Sequence, residues 1–533
     1  MTFAARALGS ALEWLRARAR RPRRWEVVAL WALGAIVAFA CYLRLAQTRA
    51  ANSDAASQAL QAWDMLHGNL LLHGWGLSDV SFYTTEVPQY MLLELVHGLD
   101  ASVVHVAAAM TYTLVVLLAA LLAKGSARGA EGLVRVFVAA GIMLAPQLGP
   151  GVNVLMSSPD HIGTAVPVLV AWLILDHARP RWYIPVIVGA LLAWVYVADR
   201  VVFYTALLPL ALVCATRAYH AVAVKRRPLR SQWYELSLAA AAVAAAAAAG
   251  LALAAVHSLG GFSSRNVTTQ FASGATLPTR LGITVAGLLL LGGADFLGSQ
   301  LTGWTAITVL HVAGVVLAGW GTWLAARRFL RDDDLVSQVL AVAVVINLTA
   351  YWLSSKSSSV VDTRQIAAVL PFGAALAGRM LAGRLMAARL VPVLLIVLAG
   401  YVFGLVHEIS QAAVPPQNQR LATWLEARHL HTGLSGYWES NIVTLASGDR
   451  VRIRSVQPSG GLIASNLYES KAAWYQPDHN YASFVVLFPG VTGYPGFTAK
   501  RAVLATFGTP ARTYHLGRYQ VLVWHKNLLR ELR

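Results

Sequence analysis

Long apolar segments recur through the first 410 residues of the chain and constrain its fold more than any other feature. A helix needs about 20 mostly apolar residues to cross the hydrocarbon core of a bilayer. Eleven segments approach or reach that length, at 25–45, 102–123, 133–148, 162–176, 183–198, 201–216, 234–257, 303–326, 335–353, 365–380 and 390–409. This pattern predicts an α-helical polytopic membrane protein with about 11 transmembrane helices.

The composition agrees with a membrane protein, since 57% of the 533 residues are hydrophobic and only 13% are charged. Soluble domains carry about 25% charged residues. A soluble enzyme, a disordered chain and a disulfide scaffold are therefore excluded. The two cysteines, Cys41 and Cys214, lie inside apolar segments and are expected to act as small hydrophobic residues. Arginine outnumbers lysine by 37 to 6, which indicates a GC-rich bacterial genome and hence the bacterial plasma membrane as the location.

The 43 basic residues, which give a formal net charge of +18, orient the predicted helices. Cytoplasmic loops of membrane proteins carry an excess of Lys and Arg. With the N-terminus inside, 23 basic residues fall in cytoplasmic segments and 7 in the outer loops before residue 410. We therefore expect a basic cytoplasmic segment at 1–24 and a C-terminus outside. This topology requires that the stretch 281–297, which contains Gly292 and Gly293, is re-entrant and does not cross the membrane.

The composition changes after residue 410. Residues 25–410 are expected to form the transmembrane domain, with a long first outer loop at 48–100, and residues 411–533 a small soluble extracytoplasmic α/β domain. In that domain QRLATWLEARHL and TAKRAVLATFG predict helices, while SFVVLFPG and YQVLVWH predict strands. The segment IVTLASGDRVRIRSV predicts a hairpin with its turn at Ser447-Gly448-Asp449.

Ionisable residues collect at the helix ends of the deduced outer face. Such groups are costly in or beside a membrane, so they usually mark a functional site. Carboxylates there suit an acceptor hydroxyl, and cations suit a phosphate. The candidate site residues are Asp54, Glu86, Asp160, His161, Asp199, Arg200, Lys356 and Arg364.

A single helix is followed by a long outer loop with an acidic residue near its start, in the stretch NSDAASQALQAWDMLHGNLLLHGWGLSDVSFYTTEVPQY. This layout resembles the glycosyltransferase C superfamily, which includes protein mannosyltransferases, aminoarabinose transferases and mycobacterial arabinosyltransferases. The resemblance covers residues 25–410 and rests on architecture. It implies a membrane glycosyltransferase that moves a sugar from a polyprenyl-phosphate donor to an extracytoplasmic glycan, lipid or protein acceptor, with inversion at the anomeric carbon.

The resemblance also implies roles for the candidate residues. Asp54 matches the first-loop aspartate of the family and is expected to be the general base that removes the proton of the acceptor hydroxyl. The lipid phosphate is expected to be held by the cations of the outer face, Lys356, Arg364 and Arg200. The other substrate contacts are expected from Glu86, Asp160, His161 and Asp199.

The sequence leaves the cofactor open. No Asp-x-Asp pair occurs between the third and fourth helices, where Asp160-His161 stands instead. This departure from the family pattern favours a reaction without a divalent metal. If a metal does bind, Glu86, Asp160 and His161 offer oxygen and nitrogen ligands.

Simpler roles and other functions compete with this interpretation. Asp54 and Asp160 each precede a helical pattern, so either could be a helix N-cap, and Asp199-Arg200 could be an ion pair in a tight turn. The chain could also be a transporter or flippase, although no repeated halves are apparent, or a non-catalytic cell-envelope assembly protein. Membrane lipid is an expected partner in each case. Nucleic acid is not, because topology accounts for the basic residues.

Overall fold

The structure is a computed structural model and describes residues 24–144, 151–156, 161–265, 267–300, 302–331, 333–414, 418–491 and 494–533. The protein is mostly helical and has a small region of β-sheet near its C-terminus. The helices before residue 411 are Arg24–Ala46, Ser53–Leu66, Glu86–His97, Ser102–Lys124, Gly129–Leu144, Gly151–Met156, Ala165–His177, Tyr183–Ala198, Leu208–Tyr219, Trp233–Ser258, Leu277–Leu291, Gly303–Leu310, Val312–Arg327, Leu335–Leu353, Val369–Ala387 and Val391–Ser410. Short π-helical turns lie at Phe203–Leu207 and His220–Val224, and short 3₁₀ helices at Leu229–Gln232, Gly274–Thr276 and Val360–Ile366.

Within the described residues, eight helical segments are long and apolar enough to cross a membrane. They are Trp25–Ala46, Ser102–Lys124, Phe203–Val224, Leu229–Ser258, Gly274–Leu291, Gly303–Arg327, Leu335–Leu353 and Val391–Ser410. The pair Val360–Ile366 and Val369–Ala387 meets the same criterion together but is bent by 56°. The chain therefore has the helices of a multi-pass membrane protein.

Three of the eleven expected segments are not among these spans. Of the segment expected at 133–148, the structure describes the helix Gly129–Leu144, which is 16 residues long. Ala165–His177 and Tyr183–Ala198 are apolar but shorter than a full span. The stretch expected to be re-entrant overlaps Gly274–Leu291, which is a continuous candidate span up to Gly292.

The membrane part is a bundle whose interior is filled by apolar side chains. Tyr112 and Trp172 are among its largest fully buried side chains. The first span faces outward instead, because its Leu30, Leu33 and Ile36 side chains are all more than half exposed. Exposed apolar side chains on a long helix suit contact with lipid.

The C-terminal region forms a mixed sheet between short helices. Its strands run in the order Leu462–Ser465, Arg452–Ser459, Thr432–Ser435, Phe484–Val491, Tyr519–Val523, Arg512–Leu516, and Tyr494–Phe497 pairs with Phe484–Val491. The strand Thr432–Ser435 is parallel to both of its neighbours, and the other pairs are antiparallel. The helices of this region are Gln419–Glu426, Tyr437–Ala446 and Lys500–Phe507, with 3₁₀ turns at Ala472–Tyr475 and Leu528–Arg530. The helices and strands expected from QRLATWLEARHL, TAKRAVLATFG, SFVVLFPG and YQVLVWH are confirmed.

The hairpin expected at 442–456 is wrong in its first half. Residues Tyr437–Ala446 form a helix, and only the second half is a strand, Arg452–Ser459. The apolar residues Ile442 and Leu445 on this helix are buried in a cluster with residues of the segment 48–100, which is expected to form the first outer loop. Tertiary packing of these side chains therefore outweighs the local strand pattern.

A second, three-stranded sheet joins three distant parts of the chain. Trp75–Leu77 lies in its centre, with Ser263–Ser264 parallel on one side and Ser470–Lys471 antiparallel on the other. Nearby, the Nζ atom of Lys471 lies 3.0 Å from both carboxylate oxygens of Asp64. The C-terminal region is thus fastened to the first outer loop by backbone pairing and by an ion pair.

Candidate functional site

Asp54 lies in the first turn of the helix Ser53–Leu66. The N-cap of this helix is Asn52, whose side chain accepts a hydrogen bond of 3.0 Å from the backbone N–H of Ala55. The alternative in which Asp54 caps the helix is therefore wrong. Its carboxylate instead lines a cleft of about 460 Å³, open solvent included, which we call the Asp54 cleft.

Four parts of the chain build the Asp54 cleft: the loop at 48–100, His161, the turn at Val360–Ile366 and the C-terminal region. Most of the lining side chains are polar. The lining residues are Asp54, Ser57, Gln58, Ser78, Asp79, Val80, Phe82, His161, Arg364, Gln365, Tyr468 and Glu469. The C-terminal region thus contributes directly to the wall beside Asp54.

Tyr437 holds the Asp54 carboxylate in position. Its phenol donates a hydrogen bond of 2.5 Å to Asp54 Oδ1, and its own carbonyl accepts one of 2.6 Å from the Ser53 hydroxyl. Burial raises the pKa of Asp54 above its ordinary value, against the opposing effects of the Tyr437 hydrogen bond and the Arg364 charge. A carboxylate with a raised pKa is a stronger proton acceptor than an ordinary aspartate once it is ionised.

Glu469 is the second carboxyl group in this wall and is only 3% exposed. Its Oε1 accepts a hydrogen bond of 2.7 Å from the backbone N–H of Ser78. Its Oε2 accepts hydrogen bonds from the Ser57 hydroxyl at 3.0 Å and from the Gln61 amide at 2.6 Å. Burial raises the pKa of Glu469 to about 7, although the donors from Ser78 and Ser57 act in the opposite direction. The Glu469 side chain is therefore held in place, and its carboxyl group titrates near neutral pH.

A larger cleft of about 1180 Å³, open solvent included, adjoins the first, and we call it the large cleft. The two share Asp79, Val80, His161 and Gln365 in their walls. The large cleft is also lined by the site candidates Asp199, Arg200 and Lys356 and by several aromatic side chains, Tyr196, Phe203, Tyr204 and Tyr351.

Part of the large cleft lies where two candidate spans begin or end. Phe203 and Tyr204 belong to the π-helical turn that starts the span Phe203–Val224. Tyr351 is near the end of the span Leu335–Leu353. Single π-helical turns occur frequently at functional sites.

Two contacts between polar side chains lie in the walls of the clefts. Lys356 Nζ donates a hydrogen bond of 2.7 Å to Asp79 Oδ2, and His161 Nδ1 lies 2.6 Å from Asp199 Oδ2. Burial alone would raise the pKa of Asp79, but the hydrogen bond and charge of Lys356 outweigh it and lower that pKa below its ordinary value. Asp199 thus bonds to His161, while Arg200 is exposed at the large cleft.

The structure brings most of the candidate site residues together. Asp54, His161 and Arg364 line the Asp54 cleft, and His161, Asp199, Arg200 and Lys356 line the large cleft. Glu86 is the exception. It begins the helix Glu86–His97 and lines a separate small cavity with Tyr90, Ile162 and Gly163.

Asp160 lies outside the described residues. Among the residues that are described, no three His, Cys, Asp or Glu side chains are grouped so as to hold a metal ion. Glu86 and His161, two of the three candidate ligands, line different cavities.

Several residues of the site have no strong signal in the sequence. Three of them, Tyr437, Tyr468 and Glu469, are more than 380 positions from Asp54 along the chain. Gln58 lies in a helical pattern that does not distinguish it from other helix residues. The segments TGLSGYW, which contains Tyr437, and AAWYQPDHNY hold aromatic and polar residues of the kind suited to sugar contact. Asp79 stands among many charges of the first outer loop, so its position alone does not distinguish it.

A scan of the chain against protein-family models gives no match, and a search of curated proteins gives none either.

Proposed function

We propose that this protein is a membrane glycosyltransferase that transfers a sugar from a polyprenyl-phosphate donor to an extracytoplasmic glycan, lipid or protein acceptor. The observation that carries the proposal is the position of Asp54 beside Arg364 in a cleft that adjoins a second one lined by Lys356 and Arg200. A carboxylate and a set of cations at adjoining positions match the two demands of the reaction, a base for the acceptor and positive charge for the phosphate.

The chemistry is a single displacement with inversion. The acceptor oxygen attacks the anomeric carbon while its proton passes to the Asp54 carboxylate. The bond from that carbon to the phosphate oxygen breaks, and its electron pair leaves with the polyprenyl phosphate. Charge that develops on the leaving group is stabilised by Arg364 and Lys356. Tyr437 acts as a positioning residue, because it bonds to Asp54 Oδ1 and leaves Oδ2 for the acceptor.

The large cleft is the proposed place for the donor. It is the more spacious of the two clefts, and aromatic residues at the ends of candidate spans line it. A lipid-linked substrate reaches such a site from within the bilayer. In this arrangement the chain resides in the bacterial plasma membrane with about eleven crossings, the N-terminus inside, and residues 411–533 outside as the domain that closes the Asp54 cleft.

The test is sugar transfer by the purified full-length chain in liposomes that contain a lipid-linked sugar fraction from the bacterial membrane. Asp54→Asn is expected to reduce transfer by about 100-fold or more, the scale of a lost general base. Asp100→Asn is the matched control, because Asp100 is exposed and lies outside both clefts. Full transfer by Asp54→Asn would refute the proposed base.

One observation favours a second candidate, a transporter or flippase of lipid-linked sugar. The helix pair Val360–Ile366 and Val369–Ala387 is bent by 56°, and the first of the two carries Arg364 in the wall of the Asp54 cleft. Broken helices at a binding site are typical of secondary transporters. Movement of the lipid-linked sugar across liposomes, without formation of a transferred product, would favour this candidate over the transferase.

A further inference from the structure

Gln58 has an unused hydrogen-bonding atom in the Asp54 cleft. The residue lies four positions after Asp54 in the same helix, so both side chains project from one face. Gln58 is 3% exposed, and its Oε1 has no hydrogen-bond partner among the described residues. A buried polar atom without a partner destabilises the folded protein. A ligand hydroxyl in the cleft would supply the missing donor.

Glu469 faces the same space from the C-terminal region, with Tyr468 beside it. The three donors that hold Glu469 leave part of the acceptor capacity of a carboxylate unused, since each oxygen has two lone pairs. Its backbone has φ +49°, a left-handed conformation that is uncommon for a residue other than glycine. The fold therefore places this carboxyl group at the cleft in spite of local strain.

Acidic side chains outnumber basic ones in the lining of the Asp54 cleft. Asp54, Asp79 and Glu469 line it, and the positive side chain in the lining is Arg364. Lys356 neutralises Asp79 from the adjoining large cleft. A further anion bound close to Asp54 and Glu469 would meet like charges in a partly desolvated space, which is unfavourable.

We propose that the Asp54 cleft is the acceptor subsite, and that it selects an uncharged sugar or an amino sugar over an anionic one. Gln58 and Glu469 are the specificity-determining residues, each bonding to hydroxyl groups of the acceptor. This inference rests on the proposed glycosyltransferase function and adds the chemical class of the acceptor. Glu469 belongs to the C-terminal region and directly precedes the strand Ser470–Lys471, which pairs with Trp75–Leu77. The C-terminal region therefore takes part in selecting the acceptor.

Binding of small glycosides to the full-length protein in nanodiscs tests this selection without any transfer reaction. The probes are methyl glucoside, methyl glucosaminide and methyl glucuronide, with their galacto counterparts, measured by saturation-transfer NMR. The neutral and amino glycosides of at least one series are expected to bind about tenfold more tightly than the uronide of that series, a difference that corresponds to one well-placed charge contact.

Two substitutions test which residues select neutral glycosides over uronides. Gln58→Met removes the side-chain amide. Because Gln58 Oε1 has no hydrogen-bond partner among the described residues, the fold is expected to be retained. Neutral glycosides are expected to bind about tenfold more weakly to this variant. Glu469→Gln retains an acceptor oxygen and removes the charge, so the uronide is expected to gain affinity relative to the glucoside. The controls are Gln457→Met and Glu426→Gln, which lie outside both clefts and are expected to change no affinity.

Equal binding of uronides and neutral glycosides, or binding unaffected by both Gln58→Met and Glu469→Gln, would overturn the inference. Its failure is distinct from failure of the proposed function. Transfer from the lipid-linked donor together with equal binding of all glycosides would keep the transferase and reject the selection. Selective, Gln58-dependent binding without transfer would keep the sugar subsite and reject the transferase.

Discussion

The phenol of Tyr437 donates a hydrogen bond to the carboxylate of Asp54 from 383 positions away in the chain. The contact joins the proposed base, at the start of the first outer loop, to a helix of the C-terminal region. Tyr437 makes a second contact with the helix Ser53–Leu66, because the Ser53 hydroxyl donates a hydrogen bond to the Tyr437 carbonyl. Docking of the C-terminal region and orientation of Asp54 are therefore parts of one contact.

Tyr437→Phe is expected to move the acidic limb of the activity profile to higher pH. Asp54 accepts a proton only when ionised, so transfer rises with pH as Asp54 titrates, from a pKa that burial has already raised. The Tyr437 hydrogen bond opposes that rise, and its loss raises the pKa further. Transfer is expected to fall several-fold on the acidic side and little on the alkaline side, as a full pH–rate profile in liposomes would show.

The control for this variant is Tyr481→Phe, because Tyr481 is exposed and lies outside both clefts. An acidic limb that stays in place, or that moves to lower pH, would show that the Tyr437 hydrogen bond does not favour the ionised form of Asp54.

Lys356 and Asp79 are expected to control donor binding. In the structure Lys356 bonds to Asp79, and a donor phosphate in the large cleft would compete for the same ammonium group. Asp79→Asn removes that competition and is expected to lower the donor KM. Lys356→Met removes the positive charge and is expected to raise the donor KM by about 10-fold or more, the scale of a charge-assisted hydrogen bond.

Steady-state kinetics over a series of donor concentrations would measure both effects. Lys526→Met is the matched control, since Lys526 forms an exposed ion pair with Glu531 outside the clefts. A donor KM that rises in Asp79→Asn would mean that Asp79 positions Lys356 for the phosphate and does not compete with it.

The membrane helices were predictable because their signal is local. Ser102–Lys124 and Leu335–Leu353 lie almost where the length of the apolar segments predicts them. The bend of 56° between Val360–Ile366 and Val369–Ala387 was not predicted, because the apolar segment expected at 365–380 runs across it and no local pattern marks the break. The second half of the helix Tyr437–Ala446 lies in the segment predicted as a hairpin, because its helical state depends on burial against residues that are distant in the chain.

Some residues of the candidate site could likewise be recognised from the sequence, and others could not. Asp54, Arg364 and Lys356 stand out in the sequence, because charged residues are rare in and around membrane helices. Tyr437, Glu469 and Gln58 do not stand out, since polar residues are common in soluble segments and in helices. Their roles follow from the docking of the C-terminal region, which no local spacing encodes.

Alanine substitutions at two glycines of the helix Val312–Arg327 are expected to change stability differently. An added Cβ at Gly321 would lie 2.7 Å from the backbone nitrogen of Ala377 on a neighbouring helix, whereas at Gly319 it would meet nothing within 4 Å. Gly321→Ala is therefore expected to destabilise the bundle by about 1–3 kcal/mol, the usual scale of overpacking. Gly319→Ala is expected to be neutral or slightly stabilising, because alanine favours the helix over glycine.

Denaturant titration of both variants in the same detergent would measure the difference. Equal stabilities would contradict the close approach of Val312–Arg327 to Val369–Ala387.

The side of the membrane on which the C-terminal region lies depends on whether Gly274–Leu291 crosses. If this helix is re-entrant, eleven crossings from an inside N-terminus place residues 411–533 outside, as the proposed function requires. If it crosses, the C-terminal region lies inside. Ser459→Cys and Ser231→Cys, each in a chain with Cys41 and Cys214 replaced by alanine, give a matched pair of exposed positions.

A membrane-impermeant maleimide added to intact spheroplasts is expected to label Ser459→Cys and not Ser231→Cys, and permeabilisation is expected to label both. Ser231 precedes this helix in the chain, so its inside location does not depend on whether the helix crosses. Protection of Ser459→Cys until permeabilisation would therefore mean that Gly274–Leu291 spans the bilayer. With an inside N-terminus, Asp54 follows the first span and lies outside, so a C-terminal region inside could not donate the Tyr437 hydrogen bond to Asp54. The Asp54 cleft would then lack its C-terminal wall on the outer side, and the proposed function would fail.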